Sequence, residues 1–478
     1  MTPLRLTWVQ PEDLLGHELA QAIQDGREPS AIAARWQAAG GQEPPPRAGA
    51  SPTPVSPYLR SLAEDLLDEL ADLPSKSADQ EPTALTRIKA HCPDWPSPTA
   101  GNRAAGAAPV PKRGGTLQAQ ASAPTPAHLE AAWLGRAAGC LLGKPVEKLP
   151  LQGIRELARA TGNWPLHTWF TAKGLPENLT RTYPWNKRSA PTSLAENIDG
   201  MPEDDDLNYP LLNTLLIQRH GRDFTTTDVA RLWLDELPAG RTFTAERVAY
   251  RNLLAGVEPP RTARHRNPFR EWIGALIRAD VHGWTNPGAP GAAAEQAHRD
   301  ATLTHTANGV YAAMFTAAAI AEAATGHSDM HACLRTGLTV VPPASRLAKA
   351  IRHAVQLAGE HDDFDTVVDE LHVTHSADHW VHAIPNTALI VAALTHANGD
   401  FSGSICRAVS GGWDTDSNGA TAGSIAGLLA GAPGALPDRW TSPLKNRLAT
   451  SIADFDGTGF DTLAQQTHLL IHREAPRP

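Results

Sequence analysis

The stretch GGWDTDSNGATAGS, Gly411 to Ser424, sets oxygen donors at alternate positions, Asp414, Asp416 and Asn418, and follows them with Gly419. Calcium loops open this way, with oxygens at positions 1, 3 and 5 and a turning glycine at position 6. Such a loop needs a bidentate glutamate at position 12, which here is Ile425, and no charged helix leads into Trp413. An acidic N-cap is the plain reading, because carboxylates satisfy the free amides at a helix start. A second acidic cluster, Glu203, Asp204, Asp205 and Asp206 in MPEDDDLNYPLL, stands far upstream in the same relation to a helical pattern. Neighbouring carboxylates repel, and a divalent cation among them lowers that cost. Two such motifs meeting in space would offer hard oxygen ligands to one or two ions. Magnesium, manganese or calcium suits that donor set, and zinc does not.

The elements that must position these acids are helices. LEAAWLGRAAGCLLG, DLNYPLLNTLLIQRHG, TDVARLWLDEL, GVYAAMFTAAAIAEAATG, SRLAKAIRHAVQLAG, NTALIVAALTHANG and TAGSIAGLLAG follow one another from about Ala127, most of them closing on glycine. Alternating strand patterns are nearly absent, and β-branched runs such as LHVTH from Leu371 are short and isolated. This predicts one compact all-α, multi-helix domain over 127–478, without a solenoid repeat. The many Ala and Gly positions imply close helix approach.

Residues 1–39 read as a short helical N-terminal segment, PEDLLGHELAQAIQDG being opened by Pro11, Glu12 and Asp13, with PSAIAARWQAAG after it. Residues 40–57 and 96–126 are dense in Pro, Ala, Gly and Ser, which cannot bury enough apolar surface to order a chain alone, and read as flexible linkers. Between them, 58–95 holds an amphipathic helix, with Leu59, Leu62, Leu66, Leu67, Leu70 and Leu73 on one face and acids on the other. Docking on the domain over 127–478, self-association and recruitment of a protein partner are all compatible with these N-terminal helices.

The chain has 478 residues, 41% of them hydrophobic, and a net charge of -9, so it supplies a large core but no general basic field for nucleic acid. Cys92, Cys140, Cys333 and Cys406 form no CxxC pair, against a zinc knuckle or a disulfide framework. The start of the chain lacks a secretory pattern, and no run approaches the roughly 18 apolar residues of a membrane span, so a cytoplasmic location is expected.

Taken together, the motifs resemble the ADP-ribosylglycohydrolase family, from roughly His128 to the mid-430s. LGRAAGCLLGKPVEKLP is similar to a Gly-rich helix followed by G-D-x-x-G-x-P-x-E, with Gly139, Gly143, Pro145 and Glu147 matching and Cys140 in place of the usual Asp. PEDDDLNY aligns with T-D-D-T, Asp204 and Asp205 matching, Glu203 and Asp206 replacing the threonines. GGWDTDSNGATAG is similar to G-D-T-D-T, Asp414 and Asp416 matching, Ser417 replacing a Thr. The resemblance implies an all-α fold holding two magnesium ions, manganese also suiting, beside the ribose of an ADP-ribosyl substrate. Asp204, Asp205, Asp414 and Asp416 would be ligands, with Ser417 and Glu203 as further oxygens, and Glu147 the active-site carboxylate.

His305 in THTANGVYAAMF resembles a family S/T-H motif near the substrate's ribose or phosphates, although a lone His at the head of an apolar helix reads equally as structural. Asn308 and Tyr311 follow it. Gly412 and Trp413 flank the metal loop, and Trp413 either stacks on a substrate ring or packs beneath the loop. Asn386 reads as a cap of TALIVAAL, and the amides of the helix after Gly419 as donors to a diphosphate. The resemblance implies hydrolysis of an N- or O-glycosidic bond at the ribose. A two-metal phosphoesterase and a catalytically inactive ADP-ribose binder are the alternatives, and the loop HTWFTAKGLPENLTRTYPWNKRSAPTSLAENIDG holds the specificity.

Overall fold

A computed structural model describes residues 4–47, 49–96 and 123–471. Most of the second Pro/Ala/Gly-rich stretch, read above as a linker, lies outside the described residues. Helices follow one another throughout, and the only β pairings among the described residues are two isolated bridges, Met201 with Leu448 and Trp272 with His382. LHVTH falls inside the helix Phe364–Thr374, whose apolar Phe364, Val367, Val368 and Leu371 recur at helical spacing and are buried. Local β-branching there yields to the longer pattern.

The sequence signals for helix ends act as expected. Helix α1, Pro11–Gln24, carries proline in its first turn with Glu12 and Asp13 beside it. Helix α2 spans Ser30–Ala38 and α3 spans Pro57–Asp72, the latter burying Ala63, Leu66, Leu67 and Leu70. The short α4, Leu85–His91, follows. Helix α5, Pro126–Gly143, is capped by the Thr125 hydroxyl, which accepts from the His128 amide.

The N-terminal residues share one hydrophobic core with the rest of the chain. Arg270 holds Glu18 of α1 bidentately, at 2.6 and 2.9 Å, and reaches Asp25 at 2.7 Å. Arg266 pairs with Glu64 and Asp68 on the acidic face of α3. Arg346 bridges Glu81 and Glu271, both at 2.7 Å. The Pro-rich stretch 40–57 runs along α1. Pro44 packs on Gly16, the Ser51 amide donates to Asp13 at 3.0 Å, and the Arg47 carbonyl accepts from Trp380 Nε1 at 2.7 Å. Hydrogen bonds to neighbours, rather than burial of its own side chains, fix this stretch.

One helix pair fixes the chemistry. Helix α5 and the helix Thr415–Ala430 cross in a seam of glycines, where Gly135 meets Gly423, Gly139 meets Gly419 and Gly143 meets Thr415. A Cβ at any of these glycines would run into a backbone carbonyl of the opposite helix. The backbones can approach this closely only because the side chains are missing. The consequence is positional, since the end of α5, which leads to Glu147, is pressed against the start of the partner helix, which carries Asp414 and Asp416.

Candidate active site

Glu147 and the two acidic motifs open onto one cavity of about 360 Å³, lined by Lys144, Glu147, Lys148, Asp204, Asp205, Asp414, Asp416 and Ser417 among others. Carboxylate oxygens of Glu147, Asp414 and Asp416 lie within 4.8 Å of one another. A second group, Cys140, Asp204 and Asp206, satisfies the same limit. The two motifs also touch directly, the Ser417 hydroxyl donating to Asp206 Oδ2 at 3.1 Å.

Each acid is placed by its backbone. Asp204 is the N-cap of the helix Asp205–His220 and accepts from the Asp206 amide at 2.9 Å, which sets this acidic cluster at a helix start. Asp414 stands at the N-terminus of its helix, behind Trp413 with φ 57° and Gly412 with φ 80°. That tight turn is held by Asn386, whose Oδ1 accepts from the Asp414 amide at 3.1 Å and from Asn418 Nδ2 at 2.8 Å. Asn386 lies inside the helix Ala383–His396, which His382 caps, so its task is to clamp the acidic loop and not to cap a helix.

Glu147 emerges from the single 3-10 turn Lys144–Val146. Its Oε2 accepts from Asn186 Nδ2 at 2.7 Å, and its Oε1 pairs with Lys148 Nζ at 2.7 Å. Lys148 adopts φ 71°, a left-handed conformation that costs a non-glycine residue about 1 kcal/mol and aims its ammonium back at the carboxylate.

Electrostatics separate the acids into two kinds. Asp204 is buried, yet the ammonium of Lys144 in contact with it holds its carboxyl below the ordinary range. Asp205 and Asp414 are driven well up, first by burial and then by neighbouring carboxylates. Burial and the proximity of Glu147 push Asp416 up to about 7. Asp205, Asp414 and Asp416 have no ion-pair partner among the described residues. Buried carboxylates left without a cation, with oxygen as the donor element, fit a hard divalent ion. Cys140 in the other group is buried and its thiol is held well above its ordinary value, so it is a neutral neighbour that donates to Asp204. Among the described residues no helix is long and apolar enough to cross a membrane.

Of the other residues singled out from sequence, Glu203 and Ser417 line the cavity and the rest lie elsewhere. Glu203 lines the cavity rim but is engaged by Arg241 at 2.8 Å and by the Ser451 amide at 3.1 Å, which takes its carboxylate out of the acidic cluster. Ser417 reaches the cavity, with its hydroxyl committed to Asp206. His305 is fully buried outside the cavity lining, its Nδ1 bonded to the Thr304 hydroxyl at 2.6 Å, and its ring is kept neutral by burial. Asn308 is a joint between segments, bonding Glu81 at 2.9 Å, Glu271 at 3.2 Å and the Leu347 amide at 3.0 Å. Tyr311 donates to the Pro82 carbonyl. Gly412 shapes the turn, and Trp413 stacks on His372 at 4.1 Å in a neighbouring depression. Gly419 is locked in the glycine seam, so its surrounding amides are not available to a diphosphate.

Of the cavity's other walls, sequence reasoning pointed to the loop 167–200 as a whole but singled out none of its residues, and it missed the aromatic wall. Asn186, Arg188, Ser189 and Thr192 come from the long loop before the first acidic cluster, and Trp8, Phe243 and Trp380 supply aromatic surface. It also missed Arg136, fully buried, which donates to Asp206 at 3.0 Å and Asp280 at 2.9 Å. An arginine within an otherwise apolar, Gly-rich helix was the one available signal.

A solved structure named as an ADP-ribosylglycohydrolase-related protein complex aligns over 73% of this chain and 98% of its own, at 20% identity and a TM-score of 0.44. No curated protein matches the chain. The ADP-ribosylglycohydrolase family model matches residues 123–476, well past the mid-430s and through the terminal helix Phe460–Ile471, and takes in both acidic motifs. On that match over most of its length, the chain belongs to the ADP-ribosylglycohydrolase family.

Proposed function

We propose that the chain is a metal-dependent hydrolase cleaving the glycosidic bond at the ribose of an ADP-ribosyl substrate. The observation that carries this is the gathering of Glu147, Asp205, Asp414 and Asp416 around one cavity with aromatic and basic walls. Departure of the leaving group builds positive charge at the anomeric carbon, and a carboxylate beside it stabilises that charge or activates water. Glu147 has the position and the support, since Asn186 and Lys148 fix both its oxygens before substrate arrives. A divalent cation, magnesium or manganese, held by Asp205, Asp414 and Asp416 beside Glu147 supplies Lewis acidity and a template for the ribose hydroxyls.

The rest of the cavity suits the remainder of such a substrate. Arg188 and Arg241 bring positive charge toward a diphosphate, with Asn186, Ser189 and Thr192 as donors. Trp8, Phe243 and Trp380 offer faces for a base or ring. Trp8 comes from the N-terminal segment, so that segment forms part of the binding wall.

A panel of ADP-ribosylated substrates assayed with magnesium and with EDTA tests the reading, alongside Glu147→Gln and an Asp414→Ala/Asp416→Ala double variant. Metal-dependent release of intact ADP-ribose, lost in both variants, is expected. Free phosphate or AMP would point to phosphoester cleavage, and nucleotide binding without turnover to a binding protein. Wild-type rates in the double variant would refute the reading.

A further inference from the structure

The two acidic motifs read from sequence imply two cation positions, and the chain fills one of them itself. We infer that the site takes a single divalent cation, on the Glu147, Asp414 and Asp416 side with Asp205, and that the Lys144 ammonium stands in the second position. The inference rests on the metal reading above and deepens it.

Three observations carry it. First, Lys144 Nζ contacts Asp204 Oδ2 directly, with the Glu203 carbonyl at 3.4 Å, and only 8% of the lysine side chain is exposed. The other oxygen, Oδ1, accepts from the Asp206 amide at 2.9 Å, so a cation on this carboxylate would displace one of these partners or sit beside the ammonium against like-charge repulsion. Second, every acid of the Cys140, Asp204 and Asp206 group already has a counter-ion, Lys144 for Asp204 and Arg136 for Asp206, and Asp206 also accepts from Ser417. Third, seven carboxylates line the cavity, and Lys148, Arg241, Lys144 and Arg278 pair with Glu147, Glu203, Asp204 and Glu246, leaving only Asp205, Asp414 and Asp416 unpaired among the described residues.

The fold gives Lys144 no easy escape. It directly follows Gly143, whose Cα is pressed against the Thr415 backbone, and the Thr415 hydroxyl donates to the Gly143 carbonyl at 2.8 Å. The backbone that launches the lysine is therefore anchored to the helix bearing Asp414 and Asp416, and its side chain is directed inward toward Asp204.

Manganese binding to the full chain tests this without recourse to turnover. Equilibrium dialysis should give one equivalent for the wild type, with the six-line electron paramagnetic resonance spectrum of an isolated ion. Lys144→Ala and Lys144→Gln should each take two equivalents and show the broadened spectrum of an exchange-coupled pair. Two equivalents in the wild type would overturn the inference and leave the metal-dependent reading standing. One uncoupled equivalent in both folded variants would also overturn it, and no bound manganese in any form would overturn both.

Discussion

Acidification from pH 7 to pH 5 should loosen the seam between α1 and the body, and His17 allows the size of the effect to be worked out. Its ring lies among those of Trp8 at 6.0 Å, Phe269 at 5.2 Å, Trp272 at 5.5 Å and His379 at 5.6 Å. Burial there lowers it from the ordinary 6.5 to about 4, and it lowers His379 to about 3. Below pH 6.5 the unfolded chain binds a proton that the folded chain refuses until about pH 4. Stability from this group is therefore complete above pH 6.5 and is lost as pH falls from 6.5 toward 4. Between pH 7 and pH 5 the linkage relation gives about 1.8 kcal/mol for a shift of this size, and partial exposure of the ring trims it to about 1–2 kcal/mol. That is a sizeable share of the ~5–15 kcal/mol that holds a domain together. His17→Phe keeps an aromatic ring in the nest and removes the titration. Urea unfolding at pH 7 and pH 5 should show the wild type losing about 1–2 kcal/mol more than the variant over that interval. An equal loss in both proteins would refute the claim that His17 is held neutral by burial in this aromatic cluster.

Three further outcomes follow from the site's supports. Gly139→Ala forces α5 away from the helix Thr415–Ala430 and should cost roughly 2–3 kcal/mol in urea unfolding while weakening manganese binding, because Glu147 is displaced from Asp414. Arg136→Met strands the buried carboxylates of Asp206 and Asp280 and should lower stability by about 3–5 kcal/mol, a loss below about 1 kcal/mol showing the pairs to be dispensable. Asn186→Ala removes one of the two groups orienting Glu147 and should reduce kcat roughly tenfold to a hundredfold with little change in Tm, whereas an effect on KM alone would place Asn186 on the substrate instead.

The parts of the molecule legible in its sequence are those governed by local rules. The helix start at Pro11, the glycine stop at Gly431 and the apolar stripe of α3 each follow from a few neighbouring residues. Asp204, Asp205, Asp414 and Asp416 could be read as cation ligands because carboxylate clusters at helix starts carry a strong chemical signature, and Glu147 joins them through the family resemblance. Nothing local says what lies across the cavity. Trp8, Asn186 and Trp380 reach it from three separate regions of the chain, and each alone is an ordinary aromatic or polar residue.

The residues misplaced by sequence reasoning share a cause. Sequence reasoning sets His305 and Asn308 near substrate, His305 with a structural role equally open, and Glu203 among the metal oxygens, each because a family motif lies over or beside it in sequence. In the structure each is consumed by a nearer demand. His305 is buried against Thr304, Asn308 ties Glu81 to Glu271, and Glu203 answers Arg241. Lys144 shows the converse. Between Gly143 and Pro145 it occupies a place where the family pattern constrains only its neighbours, so the motif attaches no role to it. The glycine seam turns that unconstrained position inward, and the charge it delivers to Asp204 is as consequential for the site as the acids that announced it.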